Sequence, residues 1–150
     1  MNAIQLILNQ HARIRKFLSQ LSKSKKPAAL ERTFDKLSVF LVSHETMEQK
    51  VWYPFLKKNT ELKTTIYHLI SEEKSAAKTI AKIKKIKSEE ILEEKIMELK
   101  KAVAHHAKEE ETKLLPKVKK IIEETELKKI GKKMSEFKKE FDEKKGHKSI

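Results

Sequence analysis

Apolar residues recur along this chain at the three-to-four-residue spacing of an amphipathic helix, in five separate segments. The first covers about residues 2–22, with Ile4, Ile7 or Leu8, His11, Ile14, Leu18 and Leu21 on one face. The run SKSKKP interrupts it, and Pro27 suits the first turn of a second helix over about 27–57. Its inner stripe reads Leu30, Phe34, Leu37, Leu41, His44, Glu48, Val51 and Phe55. Pro54 has no N–H for the preceding turn, so it predicts a local disturbance. A third helix over about 61–86, capped by the Thr60 hydroxyl, presents Leu62, Ile66, Leu69, Glu73, Ala76 or Ala77, Ile80 and Ile83. Ser88 reads as the N-cap of a fourth, with Glu89 and Glu90 in its favourable first turn. That helix carries Leu92, Ile96, Leu99, Val103, His106, Glu110, Leu114 and Ile121, and Pro116 bends its far end. A shorter fifth helix, about 126–142, offers Leu127, Ile130, Met134, Phe137 and Phe141 to one end or side of the others, with Gly131 weakening it modestly.

Four long helices with short connections predict an all-α fold, an antiparallel up-down four-helix bundle with an additional short C-terminal helix. A chain of 150 residues suits one core, and only 2 Gly and 3 Pro leave little material for loops and hairpins. One domain over 1–145 is expected, followed by a frayed tail at 146–150.

Polar residues interrupt the stripes in a repeated way. His44 and Glu48 are four apart, as are His106 and Glu110, so each pair shares a helix face. Each pair is followed by a proline at the same offset, in HETMEQKVWYP and HAKEEETKLLP. A buried carboxylate is costly unless it is paired or holds a metal. Two such carboxylates facing two such histidines, with His11 added from the first helix, make a cation site. Imidazole and carboxylate suit iron, and carboxylates can bridge two irons; zinc and manganese are compatible with the same ligands.

The segments HARIRKFL at 11–18, HETMEQKVWYPFL at 44–56 and HAKEEETKLLP at 106–116 resemble the hemerythrin family in its HHE cation-binding form. With the helix layout, the resemblance covers most of residues 1–121. It implies a hemerythrin-like four-helix bundle around two non-haem irons, or one in a degenerate site. It further implies terminal ligation by His11, His44 and His106, bridging by Glu48 and Glu110, and O2 as a ligand. Some relatives also use the Glu after the second-helix histidine, which makes Glu45 a candidate ligand. The third helix departs from the family pattern: in EEKSAAK, Lys74 stands where a histidine is expected, and Lys78 where oxygen carriers have another. Glu73, on the inward stripe, is the candidate substitute, and His68 is a weaker one. His105 falls off the stripe and reads as a solvent or supporting residue. Trp52 and Tyr53 read as packing the bundle end or its surface, and Phe17, Phe34, Phe40 and Phe55 as core.

Charge changes this picture little. The net +13, from 35 basic against 22 acidic residues, favours anionic partners and solubility. Residues 74–87 hold six lysines and no acid, yet no nucleic-acid motif accompanies them, which argues against a nucleic-acid partner. The absence of Cys excludes disulfides, thiolate metal sites and thiol catalysis. No phosphate loop, nucleophile elbow or HExxH is visible, which argues against an enzyme. Without a signal-peptide pattern or a run of ~20 apolar residues, a cytoplasmic protein with no membrane contact is expected. The leading expectation is a non-haem iron protein that binds O2, or handles or senses iron or oxygen. The alternative is a metal-free helical scaffold whose basic surface contacts an acidic protein partner.

Overall fold

The computed structural model describes residues 1–146, so the expected frayed tail lies, apart from Gly146, outside the described residues. Helix α1 (Ala3–Lys23) opens with a reciprocal cap: the Asn2 side chain accepts from the Gln5 N–H while the Gln5 side chain accepts from the Asn2 N–H. Helix α2 (Pro27–Met47) starts on its proline as expected, and passes through a π-helical turn (Glu48–Trp52) into α3 (Tyr53–Leu56). A 3₁₀ turn (Thr60–Leu62) leads into α4 (Lys63–Ile83). That turn moves Leu62 into the cap position, so the Thr60 hydroxyl does not cap the helix as anticipated. Helix α5 (Glu89–Glu109) follows Ser88, which has the extended cap backbone but no side-chain cap bond. A second π turn (Glu110–Leu114) joins α5 to α6 (Leu115–Ile121), and α7 (Glu124–Lys144) closes the fold.

The two π turns lie where the two prolines predict a disturbance. Tyr53 and Leu115, each just before its proline, donate their N–H five residues back, to the carbonyls of Glu48 and Glu110. In a regular helix the proline ring would collide with the carbonyl four residues back, and the wider turn relieves this. The extra residue per turn also slips the inward face by one position. Beyond Glu48 the buried residues are Trp52, Tyr53 and Leu56, whereas Val51 and Phe55 are only half-buried. Beyond Glu110 they are Leu114, Leu115, Val118 and Ile122, whereas Ile121 is exposed. The expected positions of Val51, Phe55 and Ile121 on the stripe, and of Trp52 and Tyr53 at an end or surface, are corrected by this slip.

Helices α1, α2–α3, α4 and α5–α6 pack antiparallel, and their core falls into two apolar halves. One half holds Ile7, Met47, Trp52, Leu56, Ile66 and Val118 among others. The other holds Ile14, Phe17, Phe34, Phe40, Ile80 and Leu99 among others. A layer of polar side chains lies between them. Among the described residues, no helix is long and apolar enough to cross a membrane.

Helix α7 has 21 residues, as many as α1, and lies against α1 and α2 rather than over a bundle end. Its buried face is Leu127, Ile130, Gly131, Met134, Lys138 and Asp142, while Phe137 and Phe141 stack on each other half-buried. The Lys138 ammonium lies 3.0 Å from Asp142 and 4.7 Å from the Phe40 ring centre, and the Ser43 hydroxyl donates to Asp142 at 2.6 Å. Buried charge on this face is therefore paired, hydrogen-bonded and stacked on an aromatic ring.

Gly131 marks the close approach of α7 to the start of α1. A Cβ there would stand 2.7 Å from the Ala3 nitrogen and 2.9 Å from the Asn2 carbonyl carbon. On an isolated helix Gly131→Ala would gain about 1 kcal/mol, but here it forces backbones apart at an overpacking cost of about 1–3 kcal/mol. Thermal unfolding should show a lowered Tm for Gly131→Ala; a raised Tm would mean that α7 does not seat here.

Candidate metal centre

The polar layer is contributed by every long helix of the bundle. His11 comes from α1, His44 from α2, Glu73 from α4, and Glu48 and Glu110 from the opening residues of the two π turns. All five are at most 2 % exposed, and the His106 side chain from α5 is 12 % exposed. Potential ligand atoms of His11, His44, Glu48 and Glu110 lie within 4.8 Å of one another, and those of Glu48, Glu73 and His106 form a second such group. Glu48 belongs to both.

Nε2 of His11 is 3.1 Å from Oε1 of Glu110, and Nε2 of His44 is 3.1 Å from Oε1 of Glu48. Ligands bound at 2.0–2.2 Å stand ~2.8–3.6 Å apart around an octahedral or tetrahedral ion, so the spacing matches a coordination shell. Neither contact has the alignment of a hydrogen bond. Nε2 of both histidines and all four oxygens of Glu48 and Glu110 are buried without a hydrogen-bond partner. Leaving one such group unsatisfied costs about 1–3 kcal/mol, and native interiors rarely do so. Six such atoms facing one another fit a cation that the same four residues could hold.

The remaining ring nitrogens are all engaged. His11 Nδ1 donates to Glu111 at 2.7 Å, and Arg15 holds that carboxylate with two bonds of 2.8 Å. His44 Nδ1 donates to the Gln10 side-chain oxygen, and His106 Nδ1 to Glu72 at 3.0 Å. These bonds fix the ring orientations and leave each Nε2 facing inward. Glu73 is held by Gln49 at 2.9 Å, by the Tyr53 hydroxyl at 3.0 Å and by His106 Nε2 at 3.0 Å.

Charge states follow from these surroundings. Burial and the adjacent charge of His11 push His44 down to about 3, which keeps it neutral. Burial also works against charge on His106, but its bonds to Glu73 and Glu72 and the nearby Glu110 outweigh it and raise the ring to about 9. Burial, then the charges of Glu110 and Glu73, lift Glu48 well above the usual carboxylate range. Burial would lift Glu110 as well, but neighbouring Glu48 and His11 hold it at about 2. Without metal, burial thus favours the protonated form of Glu48, and the neighbouring carboxylates favour the protonated forms of His106 and His11.

Residues 2–118 match the family model described as the hemerythrin HHE cation binding domain. The chain belongs to the hemerythrin family. Among curated proteins and solved structures, nothing matches it. The family is a cation-binding one, and the His–Glu layer of this hemerythrin-family chain lies wholly within the matched span, whereas α7 lies beyond it.

Of the sequence candidates, His11, His44, Glu48, His106, Glu110 and Glu73 converge in this layer. Glu45 does not reach either group of ligand atoms. It lines a neighbouring cavity, and burial followed by the charge of Glu73 raises its carboxyl well above the usual range. Lys74 and Lys78 are exposed on the outer side of α4, so neither occupies the missing-histidine place; Glu73 faces the layer instead. The side chains of His68 and His105 are 56 % and 61 % exposed, so neither reaches the buried layer. Sequence reasoning missed Gln10, Gln49, Tyr53, Glu72 and Glu111. Each of these five is next to a ligand candidate, or a few residues from one on the same helix. Helical periodicity gave no sign that they hold groups on neighbouring helices.

The Glu48 shift carries a stability consequence. A carboxyl raised in the fold stabilises it fully below the unfolded pKa of about 4.5, and that contribution is lost as pH rises toward the folded value. Glu48→Gln removes the titration while keeping the shape. The metal-free variant should therefore match wild type near about pH 5 and exceed its stability near about pH 8 in urea unfolding. A parallel pH dependence in the two proteins would count against a neutral Glu48.

Proposed function

We propose that this chain holds a non-haem di-iron centre and uses it to bind O2 or to handle or sense iron or oxygen. The observation that carries the reading is the set of six unpartnered nitrogen and oxygen atoms buried among His11, His44, Glu48 and Glu110. In this reading His11, His44, Glu48 and Glu110 would hold one iron, and Glu73 and His106 would hold a second that shares the Glu48 and Glu110 carboxylates with the first. Two groups of ligand atoms sharing Glu48 favour a pair of ions over one. Imidazole with carboxylate is a donor set for iron, and equally for zinc or manganese.

Bound iron would supply one-electron redox chemistry and an open position for O2. The protein's part is to orient, exclude and gate. Gln10, Glu111 and Glu72 hold the imidazoles with Nε2 inward. A cavity of about 10 Å³ beside the centre, lined by Ile14, Leu41, Ala76, Val103 and Ala107 together with Glu45 and the histidines, has room for about one water-sized molecule. That size suits a ligand of very few atoms. A metal-free scaffold acting through its basic surface would leave six buried polar atoms unsatisfied and gain nothing from them.

The deciding measurement is metal content per chain on protein purified without an affinity tag, with spectra before and after dithionite. About two irons per chain and a visible band that changes on reduction are expected. A chain that takes up no metal even after anaerobic Fe²⁺ addition would overturn the reading. His44→Ala should lose most of the bound metal, whereas Lys74→His, on the outer face of α4, should leave occupancy unchanged. Because the metal-free centre favours protons on Glu48, His106 and His11, metal binding should release protons near neutral pH and weaken as pH falls. Calorimetry in buffers of different ionisation enthalpy reads that release directly, and identical heats would exclude it.

A further inference from the structure

The spacing of His44 with Glu48 and of His106 with Glu110 occurs twice more in the chain, in His68 with Glu72 on α4 and His105 with Glu109 on α5. These two pairs face each other across the α4–α5 seam, outside the buried centre. Nε2 of His68 lies 2.9 Å from Oε2 of Glu109 and 3.4 Å from Oε2 of Glu72. Nε2 of His105 lies 3.1 Å from Oε1 of Glu109 and 3.5 Å from Oε2 of Glu72. Both exposed imidazoles thus turn the same ring nitrogen toward the same two carboxylates rather than toward water. Ligand atoms of His68, Glu72 and Glu109 fall within 4.8 Å of one another.

We propose that His68, Glu72 and Glu109, with His105 standing beside both carboxylates outside that group, form a second, solvent-facing site for a divalent first-row transition ion such as Zn²⁺ or Fe²⁺. The separations of His68 from the two carboxylates, 2.9 and 3.4 Å, are those between neighbouring ligands bound at 2.0–2.2 Å to one ion, and His105 at 3.1 and 3.5 Å from the same carboxylates is within a side-chain rotation of joining them. Two imidazoles with two carboxylates favour Zn²⁺ or Fe²⁺ over Ca²⁺ or Mg²⁺, which take oxygen ligands. Lys113 also lies 3.1 Å from Oε1 of Glu109, but its side chain is 62 % exposed and can swing into water when an ion binds. The pairs within each helix pre-set half of the ligands, and close packing of α4 against α5 brings the halves together.

Glu72 ties this surface site to the interior. Its Oε2 faces His68 and His105, while its Oε1 accepts from Nδ1 of His106 at 3.0 Å. Glu72 also lines the small cavity beside the buried layer. An ion held at the seam would therefore stand one carboxylate away from His106. The surface site does not depend on the buried centre holding metal.

Equilibrium dialysis of the full chain against Zn²⁺, with metal counted per chain, tests the proposal. Wild type should bind one Zn²⁺ more than the double variant His68→Ala/His105→Ala, with unchanged helicity by circular dichroism. Both residues are exposed, so the double variant is expected to fold. A second double variant, His11→Ala/His44→Ala, should keep the surface ion, which separates loss of this site from loss of the buried one. Glu72→Gln should weaken the surface ion about tenfold or more. Equal Zn²⁺ counts in wild type and His68→Ala/His105→Ala would overturn the proposal, whatever the buried centre binds.

Discussion

Glu48 and Glu110 sit at zero exposure in the middle of a helical core, where an unpaired carboxylate costs several kcal/mol. Their neighbours are arranged around that constraint. Imidazole nitrogens of His11 and His44 stand at ligand distance from their oxygens. Without a cation the layer manages its charge by taking up protons, on Glu48 through burial and on His106 through its bonds to Glu73 and Glu72. A bound cation would compete with those protons and offset the buried negative charge. The same layer divides the apolar core in two, so the bundle gives up continuous apolar packing at its middle to hold these groups.

The surrounding shell makes the layer rigid. Each inward histidine is held by its other nitrogen, through Glu111, Gln10 or Glu72, and each of these comes from a helix other than the one carrying its histidine. Arg15 fixes Glu111 in turn, and Gln49 with Tyr53 fixes Glu73. Helix α7, beyond the family span, adds a brace: it packs on α1 and α2, the helices that supply His11 and His44, and places its buried Lys138–Asp142 pair against Phe40 and Ser43. A loosened α7 would be felt first at Gln10, which lines a groove with Ser135, Lys138 and Lys139 of α7 and holds His44.

Two prolines link the sequence to the geometry of the centre. Pro54 and Pro116 each follow a carboxylate of the layer by six residues, and each is preceded by a π turn that begins at that carboxylate. The wide turn lets the chain above Glu48 and Glu110 rotate by one residue, which brings Trp52, Tyr53, Leu115 and Ile122 inward. Tyr53 thereby reaches Glu73. A regular helix would instead have put Val51 and Phe55 inward and left Glu73 without that donor.

Periodicity was enough to determine the helices, most of their buried faces and the inward direction of His11, His44, Glu48, Glu73, His106 and Glu110, because a helix of fixed pitch turns spacing into direction, while the family resemblance joined them into one site. It determined less wherever the pitch changed. The stripe was misjudged after both π turns, since one added residue redirects every side chain that follows. The tertiary structure alone decided that Lys74 faces outward, that α7 runs along α1 and α2, and that Gln10, Glu72 and Glu111 hold the histidines. Those outcomes depend on which helices become neighbours and how closely they approach. Contacts between residues up to a hundred positions apart leave no period in a sequence.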